Sequence, residues 1–241
     1  MTSGRELVTL LEERIGAMRH GERVPSEHDI MTRYDVSRSL ARSALRELEA
    51  RYLVRRVQGA GTFVNERLDY VISRSRKPSL HATIAEAGRT ARTFVVAIGN
   101  HSAPETLARI LNVAPGTPLV RLERLGYVDD QPTMFLQEWL APGVILHPEV
   151  GLTVIESVEE LLRGSGHEPV RAWFRATVDP PPPMVHERLA LPRGSRTWVV
   201  DSCTRDGKTG QPLMASRAWT RIDVIRIVCE LDDDFQPPVR A

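Results

Sequence analysis

The stretch "VPSEHDIMTRYDVSRSLARSALRELEARYLVRRVQGAGTFV", Val24 to Val64, decides how the N-terminal part of the chain folds. Pro25 and Ser26, with Asp29 three residues on, form a helix start signal, and Ile30 and Tyr34 fall on its inward side. A short helix therefore begins at Ser26 and ends near Tyr34. Asp35 and Val36 leave room only for a tight turn before Ser37, a second N-cap residue. On the helix that follows, Arg38, Arg42 and Arg46 recur every four residues with Ser39 beside them, while Leu40, Ala44, Leu45 and Leu48 lie toward the opposite face.

Upstream, Leu7, Leu10, Leu11, Ile15 and Met18 recur at helical spacing between Gly4 and His20, which predicts a first helix. Downstream, Leu53–Val57 and Thr62–Val64 read as two short strands around a glycine-containing turn at Gln58–Gly61. Helix, helix, tight turn, helix and hairpin make a winged helix-turn-helix. Its apolar stripe packs inward and its arginines point out. A guanidinium fork bonds a guanine edge or clamps a phosphate, and a helix start bearing Ser37, Arg38 and Ser39 adds backbone N–H donors. The pattern points to DNA, with specificity concentrated at Ser37 to Arg42 and with Arg46 giving backbone attraction.

Composition sets the frame for the rest. The chain has 241 residues, 41% of them hydrophobic, enough for two ordinary domains with buried cores. No apolar run reaches the ~18 residues of a membrane span, and charges run through Met1 to His20, so a soluble, cytoplasmic protein is expected. Cys203 and Cys229 are too few for a disulfide scaffold. Met1–Lys77 carries 15 Lys+Arg against 11 Asp+Glu, whereas Pro78–Ala241 carries 17 against 20, so the polyanion-facing part is N-terminal. Enzyme signatures are poor. "GAGT" at Gly59–Thr62 lacks the lysine of a phosphate loop, and "RGSGH" at Arg163–His167 lacks a nucleophile-elbow setting. The histidines show no zinc spacing, and no metal or cofactor is implied.

Domain boundaries follow from these shifts: residues 1–64 form the winged helix, 65–77 a polar linker, 78–231 a second domain and 232–241 a tail. In the second domain Ser79–Ala87, Pro104–Leu111, Val154–Arg163 and Pro183–Leu189 read as helices. Arg92–Gly99, Leu119–Val128, Pro132–Leu140, Val170–Val178, Thr197–Arg205 and Pro212–Ile222 read as strands, several joined as hairpins. The expected class is α+β around a mainly antiparallel sheet.

The stretch Val24–Val64 resembles the DNA-binding domain of GntR-family transcription regulators, which carry L-P-S-E-R-x-L-A, V-S-R-x-T-V-R-x-A-L and G-x-G-T-F-V. The resemblance assigns Ser37, Arg38, Ser39 and Arg42 to base and phosphate contacts and Gly59 to the point where the wing reaches the minor groove, with His28 where the family usually has arginine; Gln58 in the wing turn and Arg46, for backbone attraction or surface charge, stand as further candidates. "PSLHATIAEAGRTARTFV" (Pro78–Val95), "LARILNVAPGTPLVRLERL" (Leu107–Leu125), "DDQPTMFLQEWLAP" (Asp129–Pro142) and "DGKTGQPLMASRAW" (Asp206–Trp219) resemble the UTRA effector-binding domain of the HutC subfamily, which has a chorismate-lyase-like fold. That resemblance implies a repressor whose affinity for two-fold-related operator half-sites responds to a small anionic effector, and which forms a homodimer through the C-terminal domain. It assigns Ser79, Leu80, His81 and Arg124 to the effector, and Ser216 and Trp219 stand as further candidates. Gly126 stands where many relatives have a second arginine and Leu136 where a glutamate is common. Arg121 and Glu123 share the strand face opposite to Arg124 and suit a cross-strand ion pair. The rival class is an enzyme of chorismate-lyase-like fold with an accessory winged helix, for which Glu123, Glu138 and His81 are the candidate acids or bases.

Overall fold

The computed structural model describes residues 3–72, 80–152 and 155–230, and the chain divides into two compact units that meet in sequence between Arg67 and Leu68. The first unit contains α1 (Gly4–Gly16), α2 (Glu27–Tyr34), α3 (Arg38–Ala50), β1 (Val54–Val57) and β2 (Gly61–Val64). Each helix start is capped by a serine. Ser3 and Ser26 form reciprocal capping boxes with Glu6 and Asp29, and the Ser37 hydroxyl accepts from the Leu40 N–H. Asp35 takes a left-handed conformation (φ 49°) that closes α2 and lets the chain turn into α3 within two residues.

The three helices bury Leu7, Val8, Leu11, Ile15, Ile30, Ala41, Ala44, Leu45 and Leu48 together with Val24, Val54 and Val64 of the hairpin. Each large side chain removed from water contributes about 1.5–3 kcal/mol. Two details differ from the sequence expectation. On α3 the fully buried row is 41, 44, 45 and 48, with Leu40 only partly covered, and on α1 Val8 is inside while Leu10 is exposed. Small side chains pack closest to the helix axis contact, so Ala41 takes the place that size alone would give to Leu40. The wing pairs Val54 with Val64 through to Val57 with Gly61, leaving Gln58, Gly59 and Ala60 at its tip. At Gly61 (φ 124°) a Cβ would lie 3.1 Å from the Arg23 guanidinium, so both backbone angle and space call for glycine.

The second unit is built on a six-stranded antiparallel sheet in the order β4-β5-β6-β9-β8-β7, formed by Ala91–Ser102, Pro118–Val128, Gln131–Leu140, Pro212–Arg221, Thr197–Asp206 and Pro169–Asp179. Its helices are α4 (Leu80–Glu86), α5 (Glu105–Leu111), α6 (Pro148–Gly151), α7 (Val158–Gly164) and α8 (Pro183–Arg188). One face packs on α5 through Leu119, Ala215 and Leu111 and on α8 through Phe135, Trp219, Val185 and Leu189. The other packs on α6 and α7 through Leu122, Leu140, Leu152, Val158 and Leu162. The α+β class with an antiparallel sheet is as expected.

Two expectations need correction. Leu68–Ile72, read as part of the linker at 65–77, is a strand, β3, which pairs in parallel with β10 (Ile225–Cys229). Leu68 and Ile225 bury there with Ile84, Val128 and Val224. The helix expected over Val154–Arg163 starts later, at Val158, because Ser157 caps it by accepting from the Glu160 N–H; residues 155–157 are not helical, and 154 lies outside the described residues. Residues 73–79, which hold the rest of the linker, and the expected tail at 232–241 also lie outside them.

Candidate functional site

At the start of α3, Arg38 and Arg42 are exposed, with 72% and 45% of their side chains open to solvent. Ser37 and Ser39 share a hydroxyl–hydroxyl hydrogen bond of 2.9 Å. Both arginines reach Glu27, the first residue of α2. Arg42 donates from Nε and Nη2 to its two oxygens at 3.1 and 3.2 Å, and Arg38 Nε donates more weakly at 3.5 Å. The Arg42 fork is the main reason the Glu27 carboxyl lies below the usual range. Sequence spacing alone leaves Glu27 out, although its place one residue after a helix cap and opposite the arginine row is the signal for it. His28 and Arg46 are exposed, and so are Gln58 and Gly59, the latter with φ 76° at the wing tip. An exposed cationic helix start beside a wing supplies phosphate clamping and base-edge forks.

In the second unit a cavity of about 100 Å³ lies over the sheet face formed by Leu136, Glu138, Ser216, Ala218, Val200 and Ser202. His81 of α4, Tyr70 of β3 and Ile225 and Ile227 of β10 also line it, as do Ser157 and Glu159 around the start of α7. Arg124 is buried here with only 6% of its side chain exposed. It donates from Nε and Nη2 to both oxygens of Glu138, at 2.6 and 2.7 Å, and from Nη1 to the Glu156 carbonyl at 2.8 Å. Arg124 faces Leu136 across the strand pair, and Glu138 projects from the same face two residues on. The carboxylate absent at 136 is thus supplied from 138.

His81 and Thr93 share a 2.7 Å hydrogen bond through Nε2 and Oγ1, and burial pushes the imidazole below its ordinary range, so it is neutral at pH 7. Ser216 bonds the Ser202 hydroxyl at 2.8 Å on the cavity floor. Trp219 is not in the cavity. It projects from the opposite face of β9 and packs against Phe135, 6.2 Å between ring centroids, because odd-numbered residues of that strand face α5 and α8. Leu80 opens α4, and Ser79 lies outside the described residues. Gly126 lies against Met134. Arg121 and Glu123 do pair on the other face, but along one strand instead of across two, with Gln137 donating to Glu123 at 3.1 Å.

Among the lining residues outside the effector contacts that the sequence predicts are Tyr70, Glu138, Glu159 and Arg171. Arg171 Nη2 donates to the Tyr70 hydroxyl at 2.7 Å, with the guanidinium 5.6 Å from the ring centroid, while its Nε is buried without an acceptor among the described residues. Glu159 accepts from the Ser157 hydroxyl at 3.3 Å. Its carboxyl is pushed up, first by burial and then by the charge of Glu138. Of the acids and bases an enzyme would draw on here, Glu138 is tied to Arg124, His81 to Thr93, and Glu123 faces away.

Comparison with known proteins agrees with this geometry in both units. The family model "Bacterial regulatory proteins, gntR family" matches residues 4–64, and the "UTRA domain" model matches residues 86–226. The chain is 26% identical over 217 residues to the HTH-type transcriptional regulator GgaR of Escherichia coli (strain K12), covering 90% of this chain and 85% of that one. It is 25% identical over 156 residues to the mannosyl-D-glycerate transport/metabolism system repressor MngR of the same strain, covering 64% and 63%. The crystal structure of PhnF from Mycobacterium smegmatis shares the fold, with a TM-score of 0.66 at 22% identity over 95% of this chain and 100% of that one. The exposed arginines of α3 and the enclosed cavity therefore sit in a transcription regulator of the gntR family, a DNA-binding winged helix-turn-helix followed by a UTRA effector domain.

Proposed function

We propose that the protein is a homodimeric repressor that reads two-fold-related operator half-sites with the start of α3 and leaves them when a small effector with an acidic group fills the cavity. The observation that carries this reading is the lining of the cavity by Tyr70, which stands three residues after Arg67, where the winged-helix unit ends. A ligand that alters the packing of β3 acts directly on the first strand after the DNA-binding unit, so occupancy biases the spacing of two half-site readers. Ser37, Ser39, Arg38 and Arg42 serve the bases and nearby phosphates, Gln58 and Gly59 the adjoining groove, and His28 and Arg46 the backbone. The repressor MngR, similar in sequence, supports the sign of regulation. The dimer forms through the C-terminal domain, and the protein works in the cytoplasm as a regulator without catalysis.

The test is binding to an operator selected from random DNA, read by fluorescence anisotropy and footprinting. Arg42→Ala is expected to cost about 1–3 kcal/mol on the selected site and less on random DNA, the mark of a base contact. Equal losses on both would reassign Arg42 to phosphate. Unaltered binding by Arg38→Ala and Arg42→Ala alike would remove α3 from the interface.

A further inference from the structure

Two guanidinium and two carboxyl side chains line the cavity: Arg124, Arg171, Glu138 and Glu159. Arg124 and Glu138 form a buried two-pronged pair, so their charges cancel and the strand arginine attracts an anion only weakly. Glu159 and Arg171 remain. Among the described residues neither has an ion-pair partner: Arg171 bonds the Tyr70 phenol and keeps a buried Nε–H without an acceptor, and Glu159 bonds the Ser157 hydroxyl. His81 adds no cation, being neutral and bonded to Thr93.

We infer that the cavity takes a compact zwitterion, its acidic group bonded by Arg171 and its ammonium group by Glu159; this rests on the reading of the cavity as the effector site. Glu159 feels the charges of Arg124 and Arg171 across the cavity without touching either, and opposite charges held apart away from water are only partly compensated, so a ligand carrying one group of each sign completes both ends of the cavity at once. A simple anion relieves Arg171 but sets its own charge among Glu159 and Glu138. A simple cation does the reverse. The carboxyl of Glu159 is already pushed up by burial and by Glu138, which is the strain an ammonium would remove. Ser202 and Ser216 offer the ligand a hydroxyl floor, Leu136 and Ile227 offer apolar contact, and the volume of about 100 Å³ restricts it to a small molecule.

The experiment measures thermal shift and calorimetric binding on the full chain. Its probes are the proteinogenic amino acids, β-alanine and phosphoethanolamine, with acetate, propionate, inorganic phosphate and n-propylamine as single-charge counterparts. The expected result is binding of at least one zwitterion more tightly than of its single-charge counterparts, weakened about 30-fold or more by Glu159→Gln and by Arg171→Met. Arg171→Gln replaces Arg171→Met if the latter fails to show native circular dichroism. Binding of acid-only probes as tightly as zwitterions, unaffected by Glu159→Gln, overturns the zwitterion, because a neutral amide then serves as well as the carboxylate. Absence of binding by every zwitterion overturns it too. Ser216→Leu, which fills the cavity floor, separates the two readings: probes that lose binding there keep the effector site whatever their class, and a zwitterion that still binds Ser216→Leu overturns the site and the class together.

Discussion

Glu27 sets the state of Arg38 and Arg42, the two exposed arginines at the end of α3 proposed to face DNA. Its carboxylate accepts from Arg42 at two atoms and from Arg38 at one, so in the free protein these cations are oriented and partly neutralised before any phosphate arrives. The pair is exposed and is worth at most about 1 kcal/mol to stability. Its effect on DNA is larger, since Glu27→Gln adds one net positive charge to the stripe and frees Arg42 to meet any phosphate. The expected outcome is tighter binding to random DNA and a lower specificity ratio. The salt dependence of binding should steepen by about 0.9 in log–log slope for each further phosphate that the variant neutralises. An unchanged slope would mean that Glu27 only caps α2. The second residue-scale expectation concerns Glu159, whose folded-state carboxyl is raised above 4.5 by burial and by Glu138. A raised carboxyl binds protons in the folded state first, so its contribution to stability is greatest at low pH and falls as pH rises through the folded value. Glu159→Gln should therefore melt higher than the wild type at pH 7, and the gap should close as pH is lowered toward 5 in parallel thermal melts.

Among elements, β3 is the one whose identity most changes the account. A linker residue at 68 would tolerate truncation, whereas Leu68 is buried with Ile84, Val128, Val224 and Ile225 in the packing that joins β3, α4 and β10. Leu68→Ala should cost about 2–5 kcal/mol in the second unit. All four tryptophans (Trp139, Trp173, Trp198 and Trp219) lie in that unit, so urea unfolding followed by intrinsic fluorescence isolates its transition. A midpoint equal to that of the wild type would return Leu68 to the linker. The reason β3 escapes a reading of the sequence is physical. Leu68, Asp69, Tyr70, Val71 and Ile72 pair with a strand 157 positions away at Asp69–Arg226, and no local periodicity reports so distant a partner. The winged helix, by contrast, is local in every part: serine caps, a left-handed Asp35, helical spacing and a glycine hairpin all lie within a few residues of what they position. The cavity is half legible. The resemblance points to Arg124 and His81, and position on the last strand pair makes Ser216 and Trp219 candidates, with a core role equally open to Trp219; the first three line the cavity and Trp219 packs in the core on the other face. A bulge between Gly126 and Tyr127 shows how easily the alternation that sorts such residues can shift along a strand. Glu159 and Arg171 carry no motif, and only the packing of α7 over the sheet whose edge strand is β7 brings them to one cavity.

At the scale of the whole molecule, Met1–Lys77 is net positive and Pro78–Ala241 net negative, so the attraction to a polyanion lies toward the N-terminal part of the chain. A single winged helix touches few base pairs, and the proposed dimer gains its affinity by tethering two of them. When the first half-site is bound, the second reader searches at the effective concentration set by the connection, which raises affinity about 10²–10⁴-fold with the same contacts per reader. The fragment Met1–Arg67, which ends where the first unit does, is therefore expected to bind one-half-site and two-half-site DNA alike, weakly and without response to any cavity ligand. The full chain should prefer the two-half-site DNA by that factor. Inserting about 5 bp between the half-sites turns the second onto the opposite side of a helix that repeats every ~10.5 bp, and it should abolish the preference. Anisotropy titrations of fragment and full chain on the three DNAs at one salt concentration measure all of this. A full chain indifferent to the insertion would mean that each copy binds alone, and effector control would then have to act within a single winged helix instead of on the distance between two.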